Sequence, residues 1–280
     1  LNQSYFKQFN YILPNTYTEN FVSIFGDPKK RHDNFKKKDY EIASAMQQVF
    51  EDICSHMLKY LYKKTKNKNL VLSGGSFMNS VFNGKANKIS PFRNVWLSSC
   101  PDDSGQSIGA ALYLYNNILK KKNRYELKHN YFGPSYTSAE IKNDLIKYKV
   151  KFKHESDIAK KISGELANGK IVGWFQNKME FGQRALGNRS ILADPRRADA
   201  KNRVNNAVKY RENFRPFAPA VIDKYACEYF VMAKGEKVPF MEKVVMVKKN
   251  KRKIIPAVVH KDFSARVQTV DSQTNKIFYN

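Results

Sequence analysis

The sequence has little cysteine and no long apolar run, and both shortages exclude classes of protein. Of its 280 residues, three are cysteines, Cys54, Cys100 and Cys227. They lie far apart and form no CxxC pair, so neither a disulfide framework nor a zinc site is predicted. No apolar run approaches the ~20 residues of a membrane span, and no signal-peptide pattern opens the chain. We therefore expect a soluble protein without a membrane span, in the reducing environment of the cytoplasm.

Acidic residues are also scarce. The 25 Asp and Glu face 50 Lys and Arg, which leaves a formal net charge of +25. A chain this basic attracts nucleic acid, anionic membrane surfaces and acidic substrates. Many lysines lie in Lys- and Asn-rich runs typical of a solvated surface, at 36–38, 63–69, 120–123 and 248–253. Charge alone therefore leaves the kind of partner open.

Arginine is concentrated between Gly173 and Pro219, where ten Lys or Arg stand against four acids. Each guanidinium is a planar fork of donors that can bind phosphate or carboxylate oxygens in bidentate fashion. Gly182 and Gly187 bracket Arg184, and a missing Cβ at these positions would let a ligand approach the backbone. The composition predicts a site for a polyanionic small molecule, with these candidate arginines: Arg184, Arg189, Arg196, Arg197, Arg203, Arg211 and Arg215.

A long helix is predicted from Asp39 to about Leu61. Its apolar residues recur at helical spacing and form one stripe that we expect to be packed: Ile42, Met46, Val49, Ile53, Met57 and Leu61. Two strand–loop–helix units follow, with strands at 70–72 and 94–98 and helices through Val81 and at 108–119. This order predicts an α/β layer with functional loops at one edge of its sheet.

A second α/β unit follows a linker at 123–134. Thr137 and Glu140 form a capping box that begins a helix to about Tyr148. A strand at 150–153, a helix at 156–168 and a strand at 171–176 come next, and the arginine-rich stretch follows directly. Further short strands are predicted at 216–222, 243–247, 254–259 and 265–270.

Three loops carry further chemistry. Ser73–Asn79 joins a buried strand to a helix, and its amides suit a phosphate or ribose, although glycines also serve such turns for steric reasons. Pro101–Gly105 holds two acids that suit a metal or sugar hydroxyls, or the loop caps the next helix. In the segment 260–266, several side chains are able to contact a polar ligand: His260, Asp262, Ser264 and Arg266.

Long, ordered segments of this chain resemble one protein family. GWFQNKMEFGQRALGNRSILADPRR, VKYRENFRPFAPAV and IPAVVHKDFSARVQTV closely resemble the carboxyl-terminal domain of the NodU/CmcH-type O-carbamoyltransferases. LVLSGGSFMNSVFNGKAN and PFRNVWLSSCPDDSGQSIGAAL are similar to the later part of the family's amino-terminal domain. The resemblance covers about residues 21–280. It implies an α/β protein with a partial sugar-kinase/actin-like (ASKHA) domain at 1–125 and a YrdC-like domain at 131–280.

The resemblance also implies a two-step reaction. In the YrdC-like domain, carbamoyl phosphate and ATP yield carbamoyl-adenylate and pyrophosphate. The other domain, with a bound iron or other divalent metal and a nucleotide site, passes the carbamoyl group to a hydroxyl of a small-molecule acceptor such as a sugar, antibiotic or glycan. Two phosphorylated reactants agree with the density of arginine, because positioned cations stabilise developing phosphate charge.

Site residues follow from the resemblance, position by position. His260, Arg184 and Lys209 are implied to be catalytic, and the phosphates are implied to bind Lys178, Arg184, Arg189, Lys209, Arg211, Arg215 and Arg266. The resemblance implies a nucleotide loop of Gly74, Gly75 and Asn79, with Asp103 as the metal ligand. There are departures: Asn177-Lys178 stands where the family usually has Gly-Arg, and Gln183 replaces a common proline. Lys178 keeps the charge but loses bidentate geometry.

Parts of the family's pattern are absent. The histidine pair that binds the metal is expected upstream of Leu1, and a downstream Asn-Thr-Ser segment is missing. We expect an internal portion of a longer enzyme, in which Asp103 lacks its partner ligands. Two alternatives stay open. One is an RNA-binding protein, because the charge is high and YrdC proteins serve tRNA modification, and the other is a non-catalytic scaffold.

Overall fold

The computed structural model describes residues 2–7, 16–30, 33–209, 215 and 217–280. The chain forms two compact units, Leu1–Cys54 and Ser55–Asn280. Both helices and strands are present, which confirms the mixed α/β class. Within the described ranges, no helix is long and apolar enough to cross a membrane.

The first unit is helical in its described part. Helix α1 spans Glu19–Phe25, and the long helix α2 spans Lys37–Thr65 and continues into the second unit. Periodicity therefore predicted α2 correctly. Its apolar stripe is not buried as expected: Met46, Val49 and Ile53 are 67%, 56% and 55% exposed. Helical spacing shows which residues share a face, and it carries no information about whether another element covers that face.

Two parallel strands begin the second unit. Strand β1 (Asn69–Leu72) pairs with β2 (Asn94–Leu97), with Leu72 opposite Leu97. Helix α3 (Ser80–Ile89) connects them, and α4 (Gly105–Tyr113) follows β2. The predicted strand–loop–helix order is thus confirmed, although α3 begins near the point where the sequence placed its end. Because the strands are parallel, the loops that follow them leave the sheet at the same edge.

The remaining strands in the described part of the chain form three pairs. Antiparallel β3 (Val172–Phe175) and β4 (Arg189–Leu192) follow α5 (Ser138–Lys147) and α6 (Ile158–Ala167). After α7 (Ala200–Val204), β5 (Ala220–Ile222) pairs in parallel with β8 (Gln268–Val270), and β6 (Val244–Met246) pairs antiparallel with β7 (Ser264–Arg266). Short helices α8 (Ala226–Tyr229) and α9 (Lys276–Tyr279) complete the unit. Its core contains Phe230, Val247, Ile255, Val258, Ala265 and Val267.

The capping-box signal correctly predicted the start of α5, whereas two strand predictions were not confirmed. The capping box at α5 is present, because Thr137 Oγ1 accepts from Glu140 N and the Glu140 carboxylate accepts from Thr137 N. Two predicted strands are wrong. Residues 150–153 form no strand, and 254–259 contain a 3₁₀ turn at Pro256–Val258. Proline lacks the N–H that a paired strand requires, which explains the second error.

Contacts within the second unit join its early and late segments. Asn83 on α3 donates from Nδ2 to the carbonyl oxygen of Glu242 at 2.9 Å. A Cβ on Gly84 would overlap the carbonyl oxygen of Val244, so α3 lies directly against the β6 backbone. Cys100, after β2, is buried with its Sγ 3.6 Å from the carbonyl oxygen of Phe181. The loops after β1 and β2 are therefore held close to the arginine-rich stretch.

Candidate functional site

The loops after β1 and β2 are joined directly. Gly74 N donates to the carbonyl oxygen of Pro101 at 2.6 Å. A Cβ at Gly74 or Gly75 would meet no atom within 4 Å, so this turn faces open space. Asn79 Oδ1 accepts from Phe82 N at 3.1 Å and caps α3. Gly74 and Gly75 thus border open space, but the backbone N–H and carbonyl oxygen of Gly74 already bind Pro101 and Phe77, and Asn79 caps α3.

The two acids after β2 lie in different environments. Asp102 is half-buried, accepts from Ser104 Oγ at 2.5 Å, and acts electrostatically on Arg184. Asp103 is exposed, and its Oδ1 accepts from Gln106 Nε2 at 3.4 Å. No group of three His, Cys, Asp or Glu in the described part of the chain could hold a metal ion. Asp102 is thus the acid whose charge acts on Arg184, and the metal role of Asp103 stays a prediction.

The Arg184 loop, residues 181–188, is packed against the end of β2. Gly182 has φ +95°, and a Cβ there would lie 2.6 Å from Cys100 Sγ. Gly187 has φ +105°, and a Cβ there would overlap the ring of Phe278. The sequence suggested that these glycines admit a ligand. Protein atoms occupy that space instead, and the glycines allow the loop to pack.

Glu180 holds the Arg184 loop in place, and little in the sequence indicates this role. Its side chain is fully buried, and Oε1 accepts from Leu186 N at 2.6 Å, Asn188 N at 2.7 Å and Arg189 N at 3.2 Å. Three amides converge on Oε1 and offset part of the cost of burying the carboxylate, whereas Oε2 has no hydrogen-bond partner among the described residues and lies 3.9 Å from Arg189 Nε. Its position two residues before Gly182, between apolar Met179 and Phe181, is the one signal that could have identified it.

Arg184 lies within this loop, and Arg189 follows it as the first residue of β4. Arg189 is half-exposed, donates from Nη2 to the carbonyl oxygen of Gly182 at 3.3 Å, and places Nε 3.9 Å from Glu180 Oε2. Arg184 is half-buried and has no hydrogen bond to the residues that the structure describes. Burial lowers the pKa of its guanidinium, and the Asp102 charge opposes that effect. Arg184 is thus a charged fork whose donors are available to an anion.

Three other arginines of the stretch are already occupied. Arg196 binds Asp194 through two nitrogens, with the shortest contact at 2.6 Å. Arg197 pairs with Asp199, which directly precedes α7, and Arg203, on α7, donates from Nη1 to the carbonyl oxygen of Gly169 at 2.6 Å. The number of arginines in the sequence therefore overestimates how many guanidinium groups are available to an anion.

A second cluster forms around His260. The charges of Arg266 and Lys201 both act on its ring, and burial is the largest influence that lowers its pKa. Lys201, on α7, also lines a cavity of about 300 Å³ whose walls are mostly apolar and include Phe217, Val221 and Val258. The structure therefore brings His260 and Arg266 together and adds Lys201, which lies in the arginine-rich stretch. Arg184 and Asp102 form a separate group, which we call the first cluster.

The other predicted ligands are less well defined. Lys178 is exposed, and its charge adds to burial in lowering the pKa of His129. Asn177, which stands where the related pattern has glycine, adopts φ +46°, a conformation that asparagine tolerates better than most residues. Arg215 is exposed and lies two residues before Phe217 of the cavity wall. The Lys209 side chain and all of Arg211 lie outside the described residues.

Comparison with known protein families shows that both ends of the chain match models of one family. The carbamoyltransferase C-terminus model matches residues 163–280, and the carbamoyltransferase N-terminus model matches residues 2–112. The first match contains the Arg184 loop, the His260 cluster and the cavity. The second contains the loops after β1 and β2.

Individual relatives agree with these matches. The uncharacterized protein sll1178 of Synechocystis is 33% identical over 100% of this chain and 49% of its own length. Nodulation protein NolNO of Sinorhizobium fredii is 36% identical over 88% of this chain and 37% of its own length. Nodulation protein NolO of Bradyrhizobium diazoefficiens is 35% identical over 88% of this chain and 45% of its own length. The chain thus spans half or less of the length of these relatives.

Proposed function

Because the chain belongs to the NodU/CmcH-type carbamoyltransferase family, we propose that it takes part in ATP-dependent transfer of a carbamoyl group to a hydroxyl. The observation that carries the proposal is Arg184, a half-buried guanidinium without a hydrogen bond to the described residues. It lies beside Asp102, next to a glycine turn open to solvent. An ionised donor in this position is suited to a phosphorylated reactant.

The proposed reaction has three steps. Water cleaves carbamoyl phosphate to carbamate and inorganic phosphate. A carbamate oxygen then attacks the α-phosphorus of ATP, which forms carbamoyl-adenylate and expels pyrophosphate. Finally the acceptor hydroxyl attacks the carbamoyl carbon, loses its proton and displaces AMP. The cations of both clusters would stabilise the charge that develops on phosphate oxygens during the first two steps.

The His260 cluster and its cavity suit the nucleotide. The cavity of about 300 Å³ is at the lower end of the size range of small-molecule sites, and its apolar walls suit a purine. Lys201 on its lining and Arg266 near His260 would then meet the phosphates. We propose the further ligands Lys178, Arg189, Lys209, Arg211 and Arg215 on their family pattern.

The fold assignment is part of the same proposal. We assign residues 1–125 to a partial sugar-kinase/actin-like layer that takes part in transfer, and residues 131–280 to a YrdC-like domain that forms the adenylate. The loop at Gly74, Gly75 and Asn79 would hold a nucleotide of the transfer site. A small hydroxylated molecule, such as a sugar, antibiotic or glycan, is the proposed acceptor.

The described residues do not fit the metal that this family implies. Asp103 is exposed, and no three acidic, histidine or cysteine side chains converge in the part of the chain that the structure describes. One carboxylate without further ligands does not make a site for a divalent cation. We therefore assign no step of the reaction to a metal in this chain.

Pyrophosphate release tests the adenylate-forming step directly. The chain is incubated with ATP and carbamoyl phosphate, and release should require both. Arg184→Ala should lower kcat/KM by roughly 10- to 100-fold, because a charge-assisted contact to phosphate is lost. Arg124→Ala, at an exposed arginine outside the site, is the matched control and should act like wild type. Equal activity of the two variants would remove Arg184 from the site.

The RNA-binding alternative rests on the high charge, with 50 basic and 25 acidic residues, and on the resemblance to YrdC proteins, which serve tRNA modification. It predicts steeply salt-dependent binding that weakens when the exposed lysine runs are neutralised. Tight binding of RNA at physiological salt, together with no pyrophosphate release, would favour it over the transferase. If neither activity is found in the folded chain, the scaffold hypothesis is favoured.

A further inference from the structure

Asp262, Ser264 and His260 form a hydrogen-bonded chain. Ser264 Oγ lies 2.7 Å from Asp262 Oδ1 and 3.0 Å from His260 Nδ1. Ser264 N also donates to Asp262 Oδ1, at 3.1 Å, and His260 N donates to the carbonyl oxygen of Ser264. The segment thus closes on itself just before and within β7. Ser264 is buried at 3% exposure, whereas Asp262 is exposed.

The direction of each hydrogen bond follows from the groups involved. Partial burial opposes ionisation of Asp262, but the hydrogen bonds from Ser264 outweigh it and hold its pKa below the ordinary value. An ionised carboxylate only accepts, so the single hydroxyl proton of Ser264 points to Asp262. Ser264 Oγ can then only accept from the ring, and Nδ1 must carry the hydrogen. The lone pair of the neutral ring is therefore on Nε2.

The surroundings keep this ring neutral. Burial lowers the pKa of His260, the Asp262 charge opposes this, and the charges of Arg266 and Lys201 lower the pKa further. Nε2 itself is buried and has no hydrogen-bond partner among the described residues. A neutral Nε2 repels a phosphate oxygen, because both atoms present lone pairs. The partner that it lacks must be a hydrogen-bond donor.

We infer that Asp262 and Ser264 are positioning residues that hold His260 as its Nδ1–H tautomer, so that Nε2 accepts from an N–H or O–H of the reactants. The identity of those reactants rests on the proposed function. Two donors are available in that reaction, the carbamoyl amide and the attacking water. In either case His260 differs in role from Arg266 and Lys201, which meet phosphate as cations.

The tautomer can be tested without any activity. Side-chain ¹⁵N NMR of the folded chain at about pH 7.5 should show Nδ1 of His260 protonated and Nε2 not, with the signal assigned through a His260→Gln variant. Asp262→Ala frees the Ser264 hydroxyl to donate to Nδ1 and should shift the ring to the Nε2–H tautomer. Asp262→Asn keeps an acceptor oxygen and should retain the wild-type tautomer. Because Asp262 is exposed, both variants should fold.

Two results would overturn the inference. One is a wild-type His260 that is an imidazolium or the Nε2–H tautomer under these conditions. The other is an Asp262→Ala spectrum identical to that of wild type. If the tautomer is as stated but the folded protein releases no pyrophosphate, the proposed function fails and the positioning role stands.

Kinetics distinguish the two donors. Asp262→Ala should lower kcat/KM for pyrophosphate release by roughly 10- to 100-fold, and Asp262→Asn should restore most of it. If Nε2 accepts from the carbamoyl amide, the loss appears with carbamoyl phosphate but not with acetyl phosphate, which has a methyl group in place of the NH₂. If Nε2 accepts from water, both substrates lose rate equally. No loss with either substrate contradicts the role of Nε2.

Discussion

Replacing Glu180 by alanine should destabilise the second unit through one loop. The carboxylate is fully buried and accepts three backbone N–H groups, from Leu186, Asn188 and Arg189. Hydrogen bonds to a charged group contribute about 1.5–3 kcal/mol each, and an amide left unpaired by burial costs about 1–3 kcal/mol. Two of the three bonds are short, at 2.6 and 2.7 Å, so their loss costs about 3–6 kcal/mol.

The lower part of that range is expected, because alanine also removes the cost of burying a charge. A loss of about 3 kcal/mol corresponds to a fall in Tm of about 6–12 °C for a unit of this size. Glu180→Gln keeps an acceptor oxygen, so this variant should lose about half as much unfolding free energy as Glu180→Ala. Urea and thermal unfolding, followed by circular dichroism, measure both.

Glu228→Ala is the matched control, because Glu228 is exposed and its loss should change stability by less than about 0.5 kcal/mol. If Glu180→Ala unfolds at the same urea concentration as Glu228→Ala, the Arg184 loop is not held by this carboxylate. A second readout comes from the site. Displacement of the loop should lower pyrophosphate release under conditions in which the variant is still folded.

Further substitutions test the packing and the charges around the site. Gly182→Ala places a Cβ 2.6 Å from Cys100 Sγ at φ +95° and should cost about 1–3 kcal/mol in urea unfolding, with a smaller loss in a Cys100→Ala background; equal losses in both backgrounds would exclude the steric cause. Burial raises the pKa of Glu242 to about 7 from 4.5, so its contribution to stability is complete below about pH 4.5 and is lost as the pH rises through 7. Glu242→Gln should therefore be more stable than wild type by up to about 3 kcal/mol near pH 8 and no more stable near pH 4.5, and a difference independent of pH in denaturant titrations would refute this. Arg196→Ala leaves the 7% exposed Asp194 carboxylate without its guanidinium partner and should lower the urea midpoint of unfolding while pyrophosphate release by the folded protein is retained, and a selective loss of release would place Arg196 in the site.

The sequence predicted the elements whose signals are local. Helix α2 follows from apolar spacing, α5 from its capping box, and the parallel pair β1 and β2 from two successive strand–loop–helix units. The two wrong strands show the limit of such signals. Residues 150–153 alternate like a strand but do not pair as one, and Pro256 interrupts the other segment. A strand exists only when a partner supplies its hydrogen bonds, and the partner is not encoded locally.

For the site, the sequence by itself determined the chemistry: a basic, arginine-rich stretch, a glycine turn and the pattern of a carbamoyltransferase. Only the tertiary structure decided which charges remain available. It bound Arg196, Arg197 and Arg203 to internal partners and left Arg184 without one among the described residues, beside Asp102. It also placed the Glu180 carboxylate where it accepts backbone N–H groups and holds the Arg184 loop. Whether a charge meets a ligand or another residue depends on distances of a few ångströms between segments far apart in the chain, which composition and periodicity do not contain.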